Sequence, residues 1–210
     1  MALRRTVLAL PLVLSFLLTG CSGGEREGDA VSPEGAITGF SHDATKVESG
    51  LAAIEELSGT NADDLRAAAL KHLDDVSPDV HFAAFYALSL TATKGDSIER
   101  LAGFLDSPET TERMYAAGSL LFLGDERAIP ALVAALSDGG EIAFLDPPMQ
   151  GWRYARSLLI HYTDQDLGLG KATTVEGATR VQVKWEAWWS RERASIHWDE
   201  HALRWESSSP

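Results

Sequence analysis

Apolar residues at Ile129, Leu132, Val133 and Leu136 recur at i, i+3, i+4 and i+7, the spacing that lays one apolar stripe along an α-helix. The stretch before it, about Glu109 to Leu123, is apolar at Tyr115, Ala116, Ala117, Leu120, Leu121 and Leu123, with alanines where two helix backbones must approach closely. Gly124 follows where a left-handed residue satisfies the last carbonyls of a helix. Pro130 has no N–H to give, so it belongs in the first turn of the next helix. The pattern predicts two short helices packed back to back.

The unit recurs. Leu73-Asp74, Leu105-Asp106 and Leu136-Ser137 mark equivalent helix ends, spaced by 32 and then 31 residues. Ile98, Leu101, Ala102 and Leu105 repeat the stripe of Ile129 to Leu136. In the first helices of each pair, Ala84 falls on Ala116 and Leu88 on Leu120. Ser77-Pro78-Asp79 and Ser107-Pro108-Glu109 repeat one opening, a capping residue followed by proline at the first helical position. A lone helix pair cannot bury both its faces, so such units stack.

Residues Arg113 to Asp138 carry Arg-x-x-Ala-Ala-x-x-Leu, then Gly-Asp-x-Arg-Ala-Ile-Pro-x-Leu, then a closing Leu-x-Asp. This resembles the short bacterial variety of the HEAT-like repeat family, whose typical members have a longer period of about 40–47 residues. The resemblance implies an all-α fold, an α-solenoid of helix pairs over 46–138, with an irregular C-terminal extension. It fades in the earlier copies, where His81 stands in place of the arginine and the first copy keeps little beyond its alanines and Leu73. One branch of this family consists of bilin lyases, which attach pigments, but no residue here carries that chemistry.

Before the repeats, Val47, Leu51, Ile54 and Leu57 form one amphipathic helix, and Asn61 opens a second that runs through Leu73. Residues 21–45 are rich in Gly, Ser, Pro and acids and read as a flexible tether, with a reach on the order of 25 Å. After Asp138 the pattern breaks. Residues 139–151 make a loop with Ile142, Phe144, Leu145 and Met149, fit either to cover the edge of the stack or to bind a ligand. Trp152 to Tyr162 reads as a degenerate fourth first helix.

Its exit, Thr163-Asp164-Gln165-Asp166-Leu167-Gly168, resembles a Thr-Gly-x-Asp-Phe-Gly element that follows HEAT arrays in many bacterial proteins, usually before a Trp-x-x-Trp-Trp helix. Asp164 replaces its glycine and Leu167 its phenylalanine, while Trp185, Trp188 and Trp189 match. That helix is expected from about Gly177 to Arg193, and 139–204 together read as degenerate repeat and cap, with 205–210 a tail. Of six tryptophans, five fall from Trp185 onward. They either plug the open end of the stack or stay exposed as partner anchors. On the second alternative the candidate interface is Phe144, Trp152, Trp185, Trp188 and Trp189.

Composition changes the picture at the N-terminus. Arg4 and Arg5, an apolar run from Val7 to Leu18, and Leu18-Thr19-Gly20-Cys21 resemble the bacterial lipoprotein signal, with 1–20 removed and Cys21 acylated. The run is far short of the roughly 20 apolar residues a membrane span needs. Cys21 is the only cysteine, which excludes a disulfide within the chain. The resemblance implies an exported protein held to a bacterial membrane by its lipid. In enteric bacteria an aspartate after the cysteine signals inner-membrane retention, and Ser22 stands there instead.

The formal charge of −13 becomes −15 once the two arginines of 1–20 are gone. Such acidity repels nucleic acid and anionic lipid headgroups and favours a basic partner. A mature chain of about 190 residues suits one domain.

Chemistry is sparse. His197, Glu200 and His201 fit H-x-x-E-H, which on a helix sets two imidazoles one turn apart for zinc beside a carboxylate base. Only Glu206 follows as a further ligand, and a chance match in a polar tail is favoured. The serines lack a nucleophile elbow, no glycine-rich phosphate loop occurs, and no cofactor is called for. The sequence therefore points to a lipid-anchored, non-catalytic module that binds a protein of the cell envelope, with a zinc-dependent hydrolase as the alternative.

Overall fold

Helix is the natural outcome of this apolar periodicity, and the computed structural model is mostly helical; it describes residues 31–43, 45–93, 95–142 and 149–207. The chain separates into two units, through Thr93 and from Lys94, where a single domain is expected. The division falls inside the 46–138 stretch, beside Gly95, whose φ of +114° is open only to glycine at little cost.

In the first unit, α1 (Pro33–Thr38), α2 (Val47–Thr60) and α3 (Ala62–His72) surround α4 (Pro78–Thr91). From Phe82 to Ser89 every residue of α4 is buried, as suits a helix packed on all sides. Leu51 and Ile54 of α2 face it, and so do Leu65, Ala68 and Ala69 of α3.

Part of the expected tether is therefore folded. Ser32 caps α1 by accepting the Gly35 N–H at 3.1 Å, Pro33 takes the first helical position, and Ala36, Ile37 and Phe40 are buried. Phe40 lies over Gly50 of α2, where a Cβ would come within 2.7 Å of the ring. Burying Ile37 and Phe40 contributes about 3–6 kcal/mol. Ordering the segment costs about 1–2 kcal/mol per residue, so its docking also needs polar contacts.

In the second unit, α5 (Asp96–Gly103) ends in a 3₁₀ turn at Phe104–Asp106, and α7 (Ala128–Ala134) ends the same way at Ala135–Ser137. Between them runs α6 (Thr110–Phe122). It begins two residues after Pro108, so the proline opening expected there holds only at Ser77-Pro78. At its far end Gly124 takes φ +72°. The Gly124 N–H reaches the Leu121 carbonyl at 3.1 Å and the Asp125 N–H the Leu120 carbonyl at 2.9 Å, a complete Schellman closure.

One turn recurs wherever a closing leucine ends a second helix. Asp75 Oδ1 accepts the Ser77 N–H at 2.9 Å, Ser107 Oγ accepts the Glu109 N–H at 3.1 Å, and Asp138 Oδ1 accepts the Gly140 N–H at 2.8 Å. Each acceptor stands two residues after Leu73, Leu105 or Leu136.

The fold is not helical throughout. Among the described residues two hairpins occur: β1 (Glu141–Ile142) with β2 (Met149–Gln150), and β3 (Ile196–Asp199) with β4 (Arg204–Ser207). The expected 205–210 tail thus begins as a strand, with Trp205 buried opposite Trp198. Between the hairpins lie α8 (Gly151–Thr163) and α9 (Val175–Glu192). α8 packs on α6, α7 and β4, and α9 covers α7 and its 3₁₀ turn.

Gly124 and Gly103 separate two effects of a single methyl group. A Cβ on Gly124 would lie 2.6 Å from the Trp198 ring at positive φ, whereas nothing lies within 4 Å of one on Gly103. Gly124→Ala is expected to destabilise the second unit by about 2–4 kcal/mol, and Gly103→Ala to stabilise it by about 0.5–1 kcal/mol. Urea unfolding followed by tryptophan fluorescence reads this unit alone, because all six tryptophans lie between Trp152 and Trp205.

Candidate functional site

The second unit carries a groove of about 710 Å³ between the end of α5, the start of α6 and α7. Its wall is made of small and apolar groups, Ala102, Leu105, Met114, Pro130, Ala131 and Ala134. Small side chains here follow from the sequence, since the positions between the buried stripe residues of α7 are alanine and proline.

Two arginines edge the groove, and both are engaged. Arg113, in the first turn of α6, donates to the Ser107 carbonyl at 2.6 Å and to Thr110 Oγ1 at 3.0 Å, and forms an ion pair with Asp138. Thr110 in turn donates to Asp138 at 3.1 Å. Asp138 is only 15% exposed, so this cluster ties the turn after α7 to the start of α6.

Arg127 makes two forks. Its Nε and Nη2 reach Asp125 at 2.9 and 2.7 Å, and its Nη1 and Nη2 reach Glu99 of α5 at 2.9 and 3.1 Å. Bidentate pairing of this kind fixes orientation as well as charge. Hydrogen bonds from Arg127 hold the Asp125 and Glu99 carboxyls below their ordinary values. In the sequence Arg113, Asp125, Arg127 and Asp138 stand out only as markers of the repeat. Their pairing with one another is not expected there, although their recurrence as charged exceptions beside apolar stripes is a signal of it.

The residues expected at an interface lie mostly inside. Trp152 is 1% exposed, Trp185 is fully buried and Trp188 is 8% exposed, so none of the three can be a surface anchor. Trp185 and Trp188 meet edge to face at 5.4 Å, and only Trp189 of that set is half-exposed. A helical face that meets α7 and α8 has to be apolar, and the indoles supply that area. Phe144 and Cys21 lie outside the described residues.

The H-x-x-E-H residues do not share a helix. His197 is on β3 opposite Glu206, while Glu200 and His201 sit in the turn that follows, with His201 99% exposed. Asp199 makes that turn by accepting the His201 and Ala202 N–H groups at 2.7 and 2.9 Å, and Leu203 takes φ +52°. Among the described residues no group of His, Cys, Asp and Glu is arranged to hold a metal ion.

The exit of α8 shows why an aspartate can stand at position 164. Asp164, in place of glycine, takes φ +53° as the left-handed cap, a conformation that aspartate tolerates better than most residues. Arg156 of α8 then donates to the Leu169 and Gly170 carbonyls at 2.9 and 2.8 Å and steadies the turn.

Comparison with family models, with curated proteins and with solved structures finds no match. Among the described residues no helix is long and apolar enough to cross a membrane.

The two arginine clusters differ in how deeply they are held. Asp138→Ala removes the counter-ion of Arg113 and the acceptor of the Gly140 N–H and is expected to cost about 2–3 kcal/mol in urea unfolding. Arg127 is 40% exposed, so screening limits Arg127→Ala to about 1 kcal/mol at pH 7. The depressed carboxyl of Asp125 contributes above its unfolded value of about 4 and loses that contribution as pH falls. The Arg127→Ala deficit should therefore shrink towards pH 3.

Proposed function

We propose that the chain is a lipid-anchored α-solenoid of short HEAT-like helix pairs, exported and tethered through Cys21, that acts as a non-catalytic binding module for a basic protein segment of the cell envelope. The observation that carries the reading is the recurring turn. A side-chain oxygen two residues after each closing leucine takes the N–H two residues further on, at Asp75, Ser107 and Asp138 alike. One turn at three equivalent places in the sequence supports a repeated unit, and a repeated helix pair buries its faces by stacking.

The groove supports the binding part. Its arginines and carboxylates are bound to each other in fixed geometry, which suits a rigid scaffold. The charged lining of the groove is balanced, Asp106 and Asp138 against Arg113 and Arg127, so the preference for a basic segment rests on the chain's net charge of −13. Tethering raises the local concentration of such a surface at the membrane.

The test has two parts. Cys21→Ser should move the protein from the detergent phase to the aqueous phase on phase separation, and unchanged partitioning would remove the lipid anchor. Crosslinking in envelope extracts should give a specific adduct that Ala134→Arg, a bulky cation in the wall of the groove, reduces at least tenfold. An adduct equally strong with Ala134→Arg would move the binding surface elsewhere, and no adduct at all would end the module reading.

A further inference from the structure

The segment from Pro33 to His42 is fastened to the first unit at both ends by a histidine and a carboxylate far apart in sequence. At one end Glu34 Oε1 of α1 receives Lys71 Nζ at 2.6 Å and His72 Nε2 at 2.7 Å. The other ring nitrogen of His72 lies 3.2 Å from Asp75 Oδ2. At the far end His42 Nδ1 is 2.6 Å from Asp79 Oδ1, and the His42 N–H donates to Asp79 Oδ2 at 3.3 Å. Between the two, Ile37 and Phe40 are buried, with the Phe40 ring 5.4 Å from Phe82 of α4.

His72 is the informative member, because both of its nitrogens face acceptors that have no proton to give. A neutral imidazole donates from one nitrogen only, and its other contact then sets a lone pair against a carboxylate. The imidazolium satisfies both. The groups acting on it are Glu34 from α1, Asp75 from the turn after α3 and, in opposition, Lys71 on its own helix, while His81 of α4 acts on Asp75.

We propose that Pro33 to His42 is a latch whose closure depends on the charge of His72: shut on the first unit while the imidazolium bridges Glu34 and Asp75, and released in part as that proton is lost. The hydrogen bond to Glu34, more than that to Asp75, holds the His72 pKa above its ordinary 6.5, and burial opposes it. A raised value in the closed form means that closure is fully favoured below about 6.5 and weakens as pH rises through the closed-state value. Glu34 and Asp75 are held below their ordinary values, so closure is lost again only in acid. Where the Cys21 anchor proposed above applies, opening lengthens the connection between the domain and that anchor by the residues of the latch. The latch itself does not depend on that anchor.

Hydrogen exchange of the full chain in detergent tests this without any binding partner, so its outcome is separate from that of the module reading. Between pH 6.0 and 8.5, after correction for intrinsic exchange, protection of a peptide covering 33–42 should fall about three- to tenfold relative to one covering 83–89 of α4. His72→Gln should give low protection at both pH values and abolish the response. Glu34→Gln, at a half-exposed position of α1, should do the same with α4 intact. The latch is overturned if the 33–42 peptide tracks α4 across pH in the wild type, or if its response survives in His72→Gln. Should His72→Gln unfold α4 as well, the wild-type profile and Glu34→Gln decide.

Discussion

Short helices leave a large share of their backbone groups at their ends, so the way the chain turns decides whether they can pack at all. Here the turn after each closing leucine is made by one side-chain oxygen, supplied by Asp75, Ser107 or Asp138, that accepts the N–H two residues on. Each bond closes on the residue just before the next helix or strand begins, at Pro78, Thr110 and Glu141. In all three places the acceptor does more. Asp75 faces His72, Ser107 donates to Glu112, and Asp138 gathers Arg113 and Thr110. The residues that shape the backbone are thus also those on which the charged clusters are built.

The contrast between α4 and α9 shows what the surroundings ask of a helix. α4 is buried almost throughout, and its alanines let neighbouring backbones come close. α9 buries only Ala178, Trp185 and Trp188 and leaves Val183 in solvent, so a few large rings do what many small side chains do in α4. The aromatic load at the C-terminus answers a need for area on a helix packed along one face. Trp198 adds to it from β3, over Gly124 and 6.1 Å from Tyr162.

Long, strongly periodic segments were legible in the sequence, and so were the Gly124 cap and the first-turn place of Pro130. The misses have separate causes. Ile37 and Phe40 are only two apolar residues in a polar stretch, too few for periodicity to register. Yet Ser32-Pro33-Glu34 repeats the opening of Ser77-Pro78-Asp79, a turn signal that marks α1 without any stripe. The hairpin of β3 and β4 was hidden by a motif match that presumes a helix, although Ile196 and Trp198 alternate and Asp199 is a turn former. At the groove the charged residues were visible as a pattern, but only coordinates reveal which carboxylate each arginine takes.

The two kinds of ion pair in this chain answer differently to their surroundings, and the difference follows from the cation. Guanidinium stays charged throughout the physiological pH range, so Arg113 and Arg127 hold the edge of the groove in one arrangement wherever their carboxylates are ionised. Imidazole changes charge near neutrality, so a contact that needs both ring protons of His72 cannot be equally strong on the two sides of that point. A surface for recognition gains from the first property, because its shape has to be independent of conditions. A segment that joins a domain to what precedes it gains from the second, since few buried side chains fasten it and one proton is then a large part of the balance. For the binding face and the latch proposed above, this division of labour between arginine and histidine is what physical chemistry would select.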